Sequence, residues 1–583
     1  MSAFLQYYES ELDYMRRSLD EFERLHPQKA RALGISAGRS NDPDLQRVAD
    51  SFSLLTARLN QRLDTTRSEI SLDLLRLMCP GFLLGAPSYG VVQVDPDSLE
   101  APVTAPRATA VYHDTEGAPQ CRFSVARDVA LAPIRLTGVR IETAPFSFPP
   151  TKGASFSEAA LCLTIEAADG ETPLNEITGH AIEFYVAAEG SKKERICNAL
   201  VSGITGIAVA RDKNTAGDYR PAQALQSVLH SDDTAHLPVF MTQSAGLEIL
   251  RDFLCYPDKG AFFAYSGGLP AAPIAEIRLF LRANSSAALT DIVDTDLALN
   301  MLPCLNLFRN LSQPVRYDYA RDRVPVTAMK TTSAPCHILR VDALFELTSE
   351  GEIRLPEMFD GARQNGAKGP YWQERHLVGE MDAGRREVSF SMEGGARTSL
   401  DFVAASYCSN GAHGSRPRPG AAARIEASTL SGVSAQFHGE PTASVPPRLD
   451  ANWQWDLLAL VNGNFGAILE EDDPARTLRS VLHLCAPSGY SACAEAIISV
   501  TRTIATAPVK IDRNVILATG SVVEIVIDSD LLPVPDQIFA LVMDAFLRCF
   551  VSYDRFIELR VRARGETRLI AQFPRRHGSQ VSA

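Results

Sequence analysis

Apolar residues recur along the first 25 residues of the chain at alternating steps of three and four. The row consists of Leu5, Tyr8, Leu12, Met15, Leu19 and Phe22. This is the heptad spacing with which one helix packs along another, and it is narrower than the stripe of a helix lying on a globular core. We therefore predict an N-terminal helix that ends at His26-Pro27, because proline disfavours helical geometry in the residue before it.

A second apolar row follows Asp42-Pro43, which is typical of an N-cap with proline at the first helical position. Its members are Leu45, Val48, Phe52, Leu55 and Leu59, again near the heptad spacing. A third helix is predicted after Thr66, where Glu69 completes a capping-box pattern, and it ends at Cys79-Pro80. Residues 1–88 are thus predicted to be helices with coiled-coil-like seams.

The pattern changes at Tyr89, after which short apolar runs alternate with turn residues up to about Pro447. Such runs predict strands; examples are 91–94, 181–186, 277–281 and 338–341. Further on, 475–484 and 536–550 predict helices, 522–527 predicts a strand, and 556–573 predicts a hairpin that turns near Arg564-Gly565. We therefore expect an α+β multidomain fold with a helical region 1–88, a β-rich domain 89–335, a second β-rich domain 336–447 and a C-terminal α+β domain 448–583.

Composition narrows the classes of function. A length of 583 residues exceeds what one core usually organises. The net charge of −13 argues against a nucleic-acid partner, because binding to nucleic acid requires a cationic surface. The N-terminal residues lack the apolar stretch of a signal peptide, and no apolar run approaches the roughly 20 residues that span a bilayer. We expect a cytoplasmic protein that does not insert into a membrane.

Two motifs suggest catalysis, and the context weakens both. Gly34 to Gly38 matches G-x-S-x-G with Ser36 as nucleophile, but a nucleophile elbow needs a strand before the serine and a helix after it. Residues 361–368 nearly spell a phosphate-binding loop, but Gly369-Pro370 follows where the helix should begin. We interpret both as loops.

No His, Cys, Asp or Glu spacing is typical of a metal site, and the 11 cysteines form no C-x-x-C pair. We predict no catalytic residue, cofactor or metal. A serine hydrolase using Ser36 stays an alternative, as does a carbohydrate-binding module of the phage-tail type. The latter is weakened by a tryptophan count of only 3.

The heptad rows allow two explanations. The helices could pack on each other inside one chain, or they could join a bundle with other chains. Isolated helices are marginal in water, and the narrow row on a highly charged helix favours the second explanation. The predicted partner interface comprises Leu5, Tyr8, Leu12, Met15, Leu19, Phe22, Leu45, Val48, Phe52 and Leu55.

Several short motifs, in a shared order along the chain, resemble the TssF (VasA/ImpG) family of type VI secretion baseplate proteins. The motifs include Tyr7-Tyr8-Glu9, His26-Pro27, Asp42-Pro43, Ala57-Arg58-Leu59, Cys79-Pro80, Tyr256-Pro257-Asp258-Lys259, Pro303-x-x-Asn306-Leu307-Phe308 and Cys408-Ser409-Asn410. The chain departs from the family pattern at Gly411, where arginine is usual, at 552–556, and at Phe573-Pro574-Arg575.

The resemblance implies a structural function. It implies a wedge made with a second copy of the chain and a TssG-like protein, arranged around a central spike. It further implies contacts with a TssK-like adaptor and a TssE-like sheath-initiating protein, and a location at the inner membrane within the assembled baseplate.

Overall fold

The computed structural model describes residues 3–36, 39–40, 42–114, 120–151, 157–179, 181–230, 235–238, 245–318, 321–329, 336–359, 370–376, 386–392, 399–411, 416–462, 473–487, 492–511, 514–552 and 555–578. The helices are α1 (Ala3–Leu25), α2 (Pro27–Ala32), α3 (Pro43–Met78), α4 (Leu174–Ile177), α5 (Gly190–Ser202), α6 (Ala245–Cys255), α7 (Ala283–Ser286), α8 (Ala451–Asn462), α9 (Pro474–Cys485), α10 (Ala492–Glu495) and α11 (Asp536–Arg548).

The strands up to the middle of the chain are β1 (Ile35–Ser36), β2 (Arg39–Ser40), β3 (Tyr89–Val94), β4 (Val103–Ala105), β5 (Ala110–His113), β6 (Cys121–Val125), β7 (Val129–Leu131), β8 (Ile134–Thr143), β9 (Ala159–Ala167), β10 (Ile182–Val186), β11 (Ile204–Ala210), β12 (Asp218–Arg220), β13 (Leu225–Ser227), β14 (Phe262–Tyr265), β15 (Ile274–Leu281) and β16 (Leu297–Ala298). Those that follow are β17 (Met301–Leu305), β18 (Phe308–Leu311), β19 (Val315–Tyr317), β20 (Val324–Val326), β21 (His337–Thr348), β22 (Gly351–Leu355), β23 (Pro370–His376), β24 (Arg386–Met392), β25 (Leu400–Ser409), β26 (Arg424–Glu426), β27 (Ala435–Phe437), β28 (Ile497–Ile511), β29 (Asn514–Ile527), β30 (Phe556–Ala563), β31 (Leu569–Gln572) and β32 (Arg576–His577).

The fold is α+β, as predicted, and the chain divides into two compact units. The first unit contains residues 1–74 and 375–383, and the second contains 75–374 and 384–583. The predicted end of the first helix is confirmed, since α1 ends at Leu25 and α2 opens with Pro27. The limits predicted at 88, 335 and 447 remain predictions.

The prediction of separate helices at 43–59 and after Thr66 is wrong, because α3 runs unbroken from Pro43 to Met78. The Asp42 carboxylate accepts from the backbone N–H of Asp44 at 2.9 Å and caps its start. No glycine or proline stands between Pro43 and Cys79. The capping-box pattern at Thr66 therefore lies within the helix, where nothing interrupts the backbone hydrogen bonds.

The second unit is built on several sheets. Their strand orders among the described residues are β13-β14-β10-β16, β12-β11-β15-β9-β8, β26-β5-β6-β17-β3-β27, β18-β25-β21-β22 with β19 on β25, β20-β24-β23, β28-β29-β30-β31 with β32 on β30, and β4-β7. The sheet of β26 to β27 joins residues 89–125, 301–305 and 424–437. Strand pairing thus connects chain segments far apart in sequence.

The largest core of the second unit forms where helices cover these sheets. The β-rich prediction for 89–447 missed α5 and α6, and α6 is almost wholly buried. Helix α6 packs closely on α11, since a Cβ at Gly246 would come within 2.4 Å of the Phe550 ring. Leu250, Phe253 and Phe546 belong to the core that these helices share.

The C-terminal predictions are confirmed. Strands β28 and β29 form a long antiparallel pair, and β30 lies parallel to β29. A parallel pair needs a crossover connection, and α11 supplies it. Strands β30 and β31 form the predicted hairpin.

Candidate partner interface

Within the first unit, α1 and α3 are joined by two side-chain hydrogen bonds. The Tyr7 hydroxyl donates to Asp64 Oδ2 at 2.9 Å, and Asn60 Nδ2 donates to Glu11 Oε1 at 2.7 Å. A step of four along α1 is matched by a step of four backwards along α3, so the helices run antiparallel. The hydrogen bond to Asp64, reinforced by partial burial, raises the pKa of Tyr7.

The face of α3 that carries Asn60 and Asp64 also carries small buried residues. Ala57 and Ser53 lie about one and two helical turns before Asn60, and their exposed fractions are 0% and 1%. Small side chains allow two helix backbones to approach closely. This face of α3 is therefore covered within the chain.

The predicted row on α1 is partly covered by the same unit. Tyr8, Leu12, Met15, Leu19 and Phe22 are half-buried. Leu5, near the start of the helix, is 37% exposed. The row is therefore partly covered by its own unit and partly exposed. That its members contact a partner protein stays a prediction.

The more exposed apolar surface lies on α3. Val48, Phe52, Leu55, Leu59 and Leu63 are between 51% and 64% exposed, and we call them the α3 apolar row. At 100° per residue they fall within an arc of about 80°, and at 1.5 Å per residue they extend over about 22 Å. The side chain of Leu45 lies outside the described residues.

The predicted interface included Val48, Phe52 and Leu55. Leu59 belonged to the predicted apolar row but not to the predicted interface, and Leu63 belonged to neither. Leu63 follows Leu59 by one helical turn, so the spacing carried a signal for it. Ile70 and Leu74 are also exposed and continue the apolar side of the helix.

Covering the α3 apolar row would stabilise a complex appreciably. Full burial of one such side chain contributes about 1.5–3 kcal/mol. Since roughly half of each is still exposed, covering all five would contribute on the order of 5 kcal/mol before the costs of association. The exposed side chains of Arg58 and Arg62 flank the row, which would favour acidic residues at the rim of a partner.

Of the two motifs that suggested catalysis, only part of the first lies among the described residues. Ser36 is exposed on β1, which follows α2 and pairs with β2, so the next described element after the strand of Ser36 is another strand and not a helix. The loop 361–368 lies outside the described residues. Among the residues that the structure does describe, no group of three or more His, Cys, Asp or Glu side chains could hold a metal ion.

The described part of the chain likewise contains no helix that is both long enough and apolar enough to span a bilayer.

Motif residues that are distant in sequence meet in the second unit. The carbonyl oxygen of the Asn306 side chain accepts from Ser409 Oγ at 2.7 Å and from the backbone N–H groups of Asn410 and Gly411 at 2.9 Å. The Asn306 amide donates to Asn410 Oδ1 at 2.9 Å and to Cys121 Sγ at 3.2 Å. These motifs therefore form a buried structural network that links β6, β17 and β25.

The departure at Gly411 has a local explanation. A Cβ at this position would lie 3.2 Å from Asn306 Cγ, which is tighter than an ordinary contact. A larger residue would require the Asn306 side chain to shift by a few tenths of an ångström. Glycine avoids this adjustment.

A second motif forms a buried ion pair. Lys259 Nζ lies 2.6 Å from Asp252 Oδ2, and Asp252 also accepts from the backbone N–H groups of His236 and Leu237. Burial alone would raise the pKa of Asp252, but the Lys259 ammonium, the nearby His236 and the backbone N–H of Leu237 together hold that pKa below its usual value. The pair fixes residues 236–237 to the end of α6.

An exposed apolar helix surface, together with motif residues used for structure, is typical of proteins that associate with other proteins. A family description, "Type VI secretion system, TssF", matches residues 1–580. The chain belongs to the TssF family of the type VI secretion system.

Among individual relatives, the type VI secretion system component TssF1 of Pseudomonas aeruginosa strain PAO1 is 26% identical over 270 residues. That match covers 45% of this chain and 44% of the relative, so it spans less than half of the relative's length.

Two solved structures share the fold at 17% sequence identity. A chain from the TssK-TssF-TssG baseplate subcomplex, determined by cryo-electron microscopy, has a TM-score of 0.72 and covers 92% of this chain and 99% of its own length. A chain from the baseplate complex of the type VI secretion system has a TM-score of 0.61, with 99% and 100% covered.

Proposed function

We propose that this protein is a structural wedge component of a type VI secretion baseplate and acts by binding other proteins rather than by catalysis. The observation that carries the proposal is the α3 apolar row, which leaves five large side chains exposed on one helix. Membership of the TssF family and the likeness to chains from baseplate complexes support it.

The partners follow from the same family membership. We propose that the first unit joins a helical bundle with a TssG-like protein and a second copy of this chain. Further contacts are proposed with a TssK-like adaptor, a TssE-like protein and the central spike, which would place the protein in the cytoplasm against the inner membrane.

A single substitution tests the role of the α3 apolar row. Leu55→Asp places a carboxylate where a partner would bury leucine, and a buried charge without a partner is strongly unfavourable. A loss of about 3 kcal/mol would weaken binding more than 100-fold. We expect the variant to fail to co-purify when it is co-expressed with TssG-like and TssK-like proteins.

Leu54→Asp is the matched control. Leu54 is 46% exposed on the same helix, and it points about 100° or more away from the row. This variant should co-purify normally, and both variants should keep wild-type helicity by circular dichroism. Wild-type recovery of the complex with Leu55→Asp would contradict the proposal.

The α1 positions need a different test. Leu12→Asp together with Met15→Asp should also prevent assembly. Because both side chains are half-buried against their own unit, the change would disturb the α1–α3 pair as well. Circular dichroism of the purified variant is therefore required before loss of binding is assigned to a lost partner contact.

A further inference from the structure

Strand β28 lies at the edge of the C-terminal sheet, whose strand order is β28-β29-β30-β31. It extends over 15 residues, Ile497–Ile511, which is long for a strand. Its start is covered, because Arg479 of α9 donates to the carbonyl oxygens of Ile497 and Ile498 at 2.9 Å. Further along, the side chain of Ile504 is 68% exposed. The middle of this edge strand is therefore open to solvent.

The strand register shows which backbone groups of β28 point away from β29. The N–H of Asp528, directly after β29, donates to the carbonyl oxygen of Ala496 at 2.8 Å. Hydrogen bonds between antiparallel strands recur at every second residue. The even-numbered residues of β29 therefore bond to odd-numbered partners on β28, as Glu524 does to Thr501. It follows that the even-numbered residues of β28 direct their N–H and C=O groups outwards.

Two side chains agree with this direction. Pro508 is one of the outward residues, and a proline, which has no N–H, is tolerated in an edge strand at such a position. Thr506 Oγ1 lies 3.4 Å from Thr519 Oγ1, as expected for a non-hydrogen-bonded pair, whose side chains are closer. In the described part of the chain, no hydrogen bond reaches the outward backbone groups of Ile504 or Thr506.

The outward segment 502–508, which we call the β28 edge, is almost without charge. Residues 503–508 include no Asp, Glu, Lys or Arg. An exposed strand edge without charges is a template on which another strand can pair. Because the chain carries a net charge of −13, an uncharged segment is where two copies can approach most closely.

We propose that the β28 edge pairs with the β28 edge of a second copy of this chain, antiparallel about a twofold axis at Ile504. Ile504 then lies opposite Ile504 of the second copy, and Arg502 lies opposite Thr506. These pairs exchange about six backbone hydrogen bonds. Pro508 lies beyond the last of them, where its missing N–H removes no bond.

Neighbouring registers fit less well. An axis at Arg502 sets two guanidinium groups against each other, and like charges directly opposite destabilise a strand pair. An axis at Thr503 sets Arg502 opposite Ile504. An axis at Thr506 sets Ile504 opposite Pro508, which cannot donate. Charge, backbone donors and the burial of Ile504 together favour the axis at Ile504.

The contact is small, because residues 502–508 extend over about 24 Å and a sheet about 10 Å thick presents about 240 Å² along that length. A standard stable interface buries about 800 Å² per partner. We therefore expect a weak dimer that depends on protein concentration. The β28 edge lies in the second unit and does not involve the α3 apolar row, so its failure would leave the proposed function standing.

Ile504→Cys in the purified full-length chain tests the pairing. Opposite residues on neighbouring strands have Cβ atoms about 5 Å apart, which is close to disulfide geometry, so mild oxidation should link position 504 of two copies. Thr519→Cys is the matched control. Thr519 is exposed on the same face of the hairpin, but it lies one strand further from the axis, so the two copies hold it about 14 Å or more apart. Peptide mass spectrometry should show the Ile504→Cys link at least about tenfold faster.

A charge added at Thr506 tests the register. In the Ile504→Cys background, Thr506→Lys sets an ammonium opposite Arg502 of the second copy, whereas Thr506→Glu sets a carboxylate there. Both change an exposed side chain and leave the backbone pairing with β29 intact. At low ionic strength the lysine variant should link about tenfold more slowly than the glutamate variant, because like charges oppose the pairing and opposite charges favour it.

The proposal is overturned if Ile504→Cys links no faster than Thr519→Cys, or if Thr506→Lys and Thr506→Glu give equal rates. A link from position 504 to a co-expressed baseplate protein, with no link between two copies of this chain, would also overturn it. The strand that pairs with the β28 edge would then belong to a different protein.

Discussion

The side chain of Asn306 offers a direct test of the buried network that joins the shared motifs. Asn306→Ala removes the oxygen to which Ser409, Asn410 and Gly411 donate. The Ser409 hydroxyl can rotate towards another acceptor, and the Gly411 N–H keeps a longer contact with Ser409 Oγ at 3.4 Å, whereas the N–H of the buried Asn410 loses its acceptor. A buried donor left without a partner costs about 1–3 kcal/mol. We therefore expect a loss of about 2 kcal/mol in local stability.

A local measurement separates the effect at this junction from the rest of the chain, because two compact units need not unfold in one step. Hydrogen–deuterium exchange followed by peptide mass spectrometry reports on residues 121–125 and 400–411 separately. If exchange there proceeds through local opening, a loss of about 2 kcal/mol accelerates it roughly 30-fold. Peptides of the first unit should exchange at the wild-type rate.

Asn214→Ala is the matched control, since Asn214 is exposed. Asn306→Asp is the more conservative change. It keeps an acceptor for the N–H groups of Asn410 and Gly411 but loses the amide that donates to Asn410 Oδ1, so its effect should lie between those of the other two variants. Exchange of 400–411 in Asn306→Ala that is no faster than in Asn214→Ala would show that the network does not stabilise this junction.

Four further predictions concern buried and half-buried charges. Lys259→Met leaves the Asp252 carboxylate buried without its cation. We expect the free energy of unfolding to fall by about 3–5 kcal/mol and the melting temperature to fall with it. An unchanged melting temperature would show that the ion pair does not stabilise the fold. Because the pKa of Asp252 is lowered, its stabilisation is present above an unfolded pKa of about 3.9 and is lost as the pH falls through the folded value. The deficit of Asp252→Asn in melting temperature should therefore shrink between pH 7 and pH 3, and a constant deficit would contradict this sign. Burial instead raises the pKa of Glu248, so its contribution is present below an unfolded pKa of about 4.3 and is lost as the pH rises through the folded value. Glu248→Gln should flatten the fall in melting temperature between pH 5 and pH 8, and identical pH profiles for wild type and variant would refute the assignment. Arg575 donates to Glu558 at 3.0 Å but is 41% exposed, so Arg575→Ala should cost less than about 1 kcal/mol, and slightly faster exchange of residues 556–561 would report it.

The secondary structure that depends on short-range signals could be predicted from the sequence. Pro27 marks the end of α1, and Asp42-Pro43 marks the start of α3, because caps and prolines act on the backbone next to them. The hairpin of β30 and β31 could be predicted for the same reason, since its turn lies at Arg564-Gly565. Propensity failed inside α3, where a capping pattern occurs within an unbroken helix.

The candidate interface could be predicted only in part. The heptad spacing correctly identified apolar rows on both N-terminal helices, but spacing does not reveal which neighbour covers a row. Ala57 and Ser53 are small, and Ser53 is polar. They therefore form no apolar pattern that would mark them as the buried side of α3. The unpartnered row was therefore expected on α1 as much as on α3, whereas exposure is greater on α3.

The sequence by itself determined the end of α1, the start of α3, the change from helical to strand-forming segments at Tyr89, the net negative charge, and the motifs of the TssF family. These features depend on neighbouring residues, on composition or on the order of short motifs. Only the tertiary structure decided which side of α3 is covered and that Asn306 meets Asn410. Such contacts join residues up to about a hundred positions apart. Strand register and helix packing determine them, and both depend on interactions between distant segments that a short stretch of sequence does not reveal.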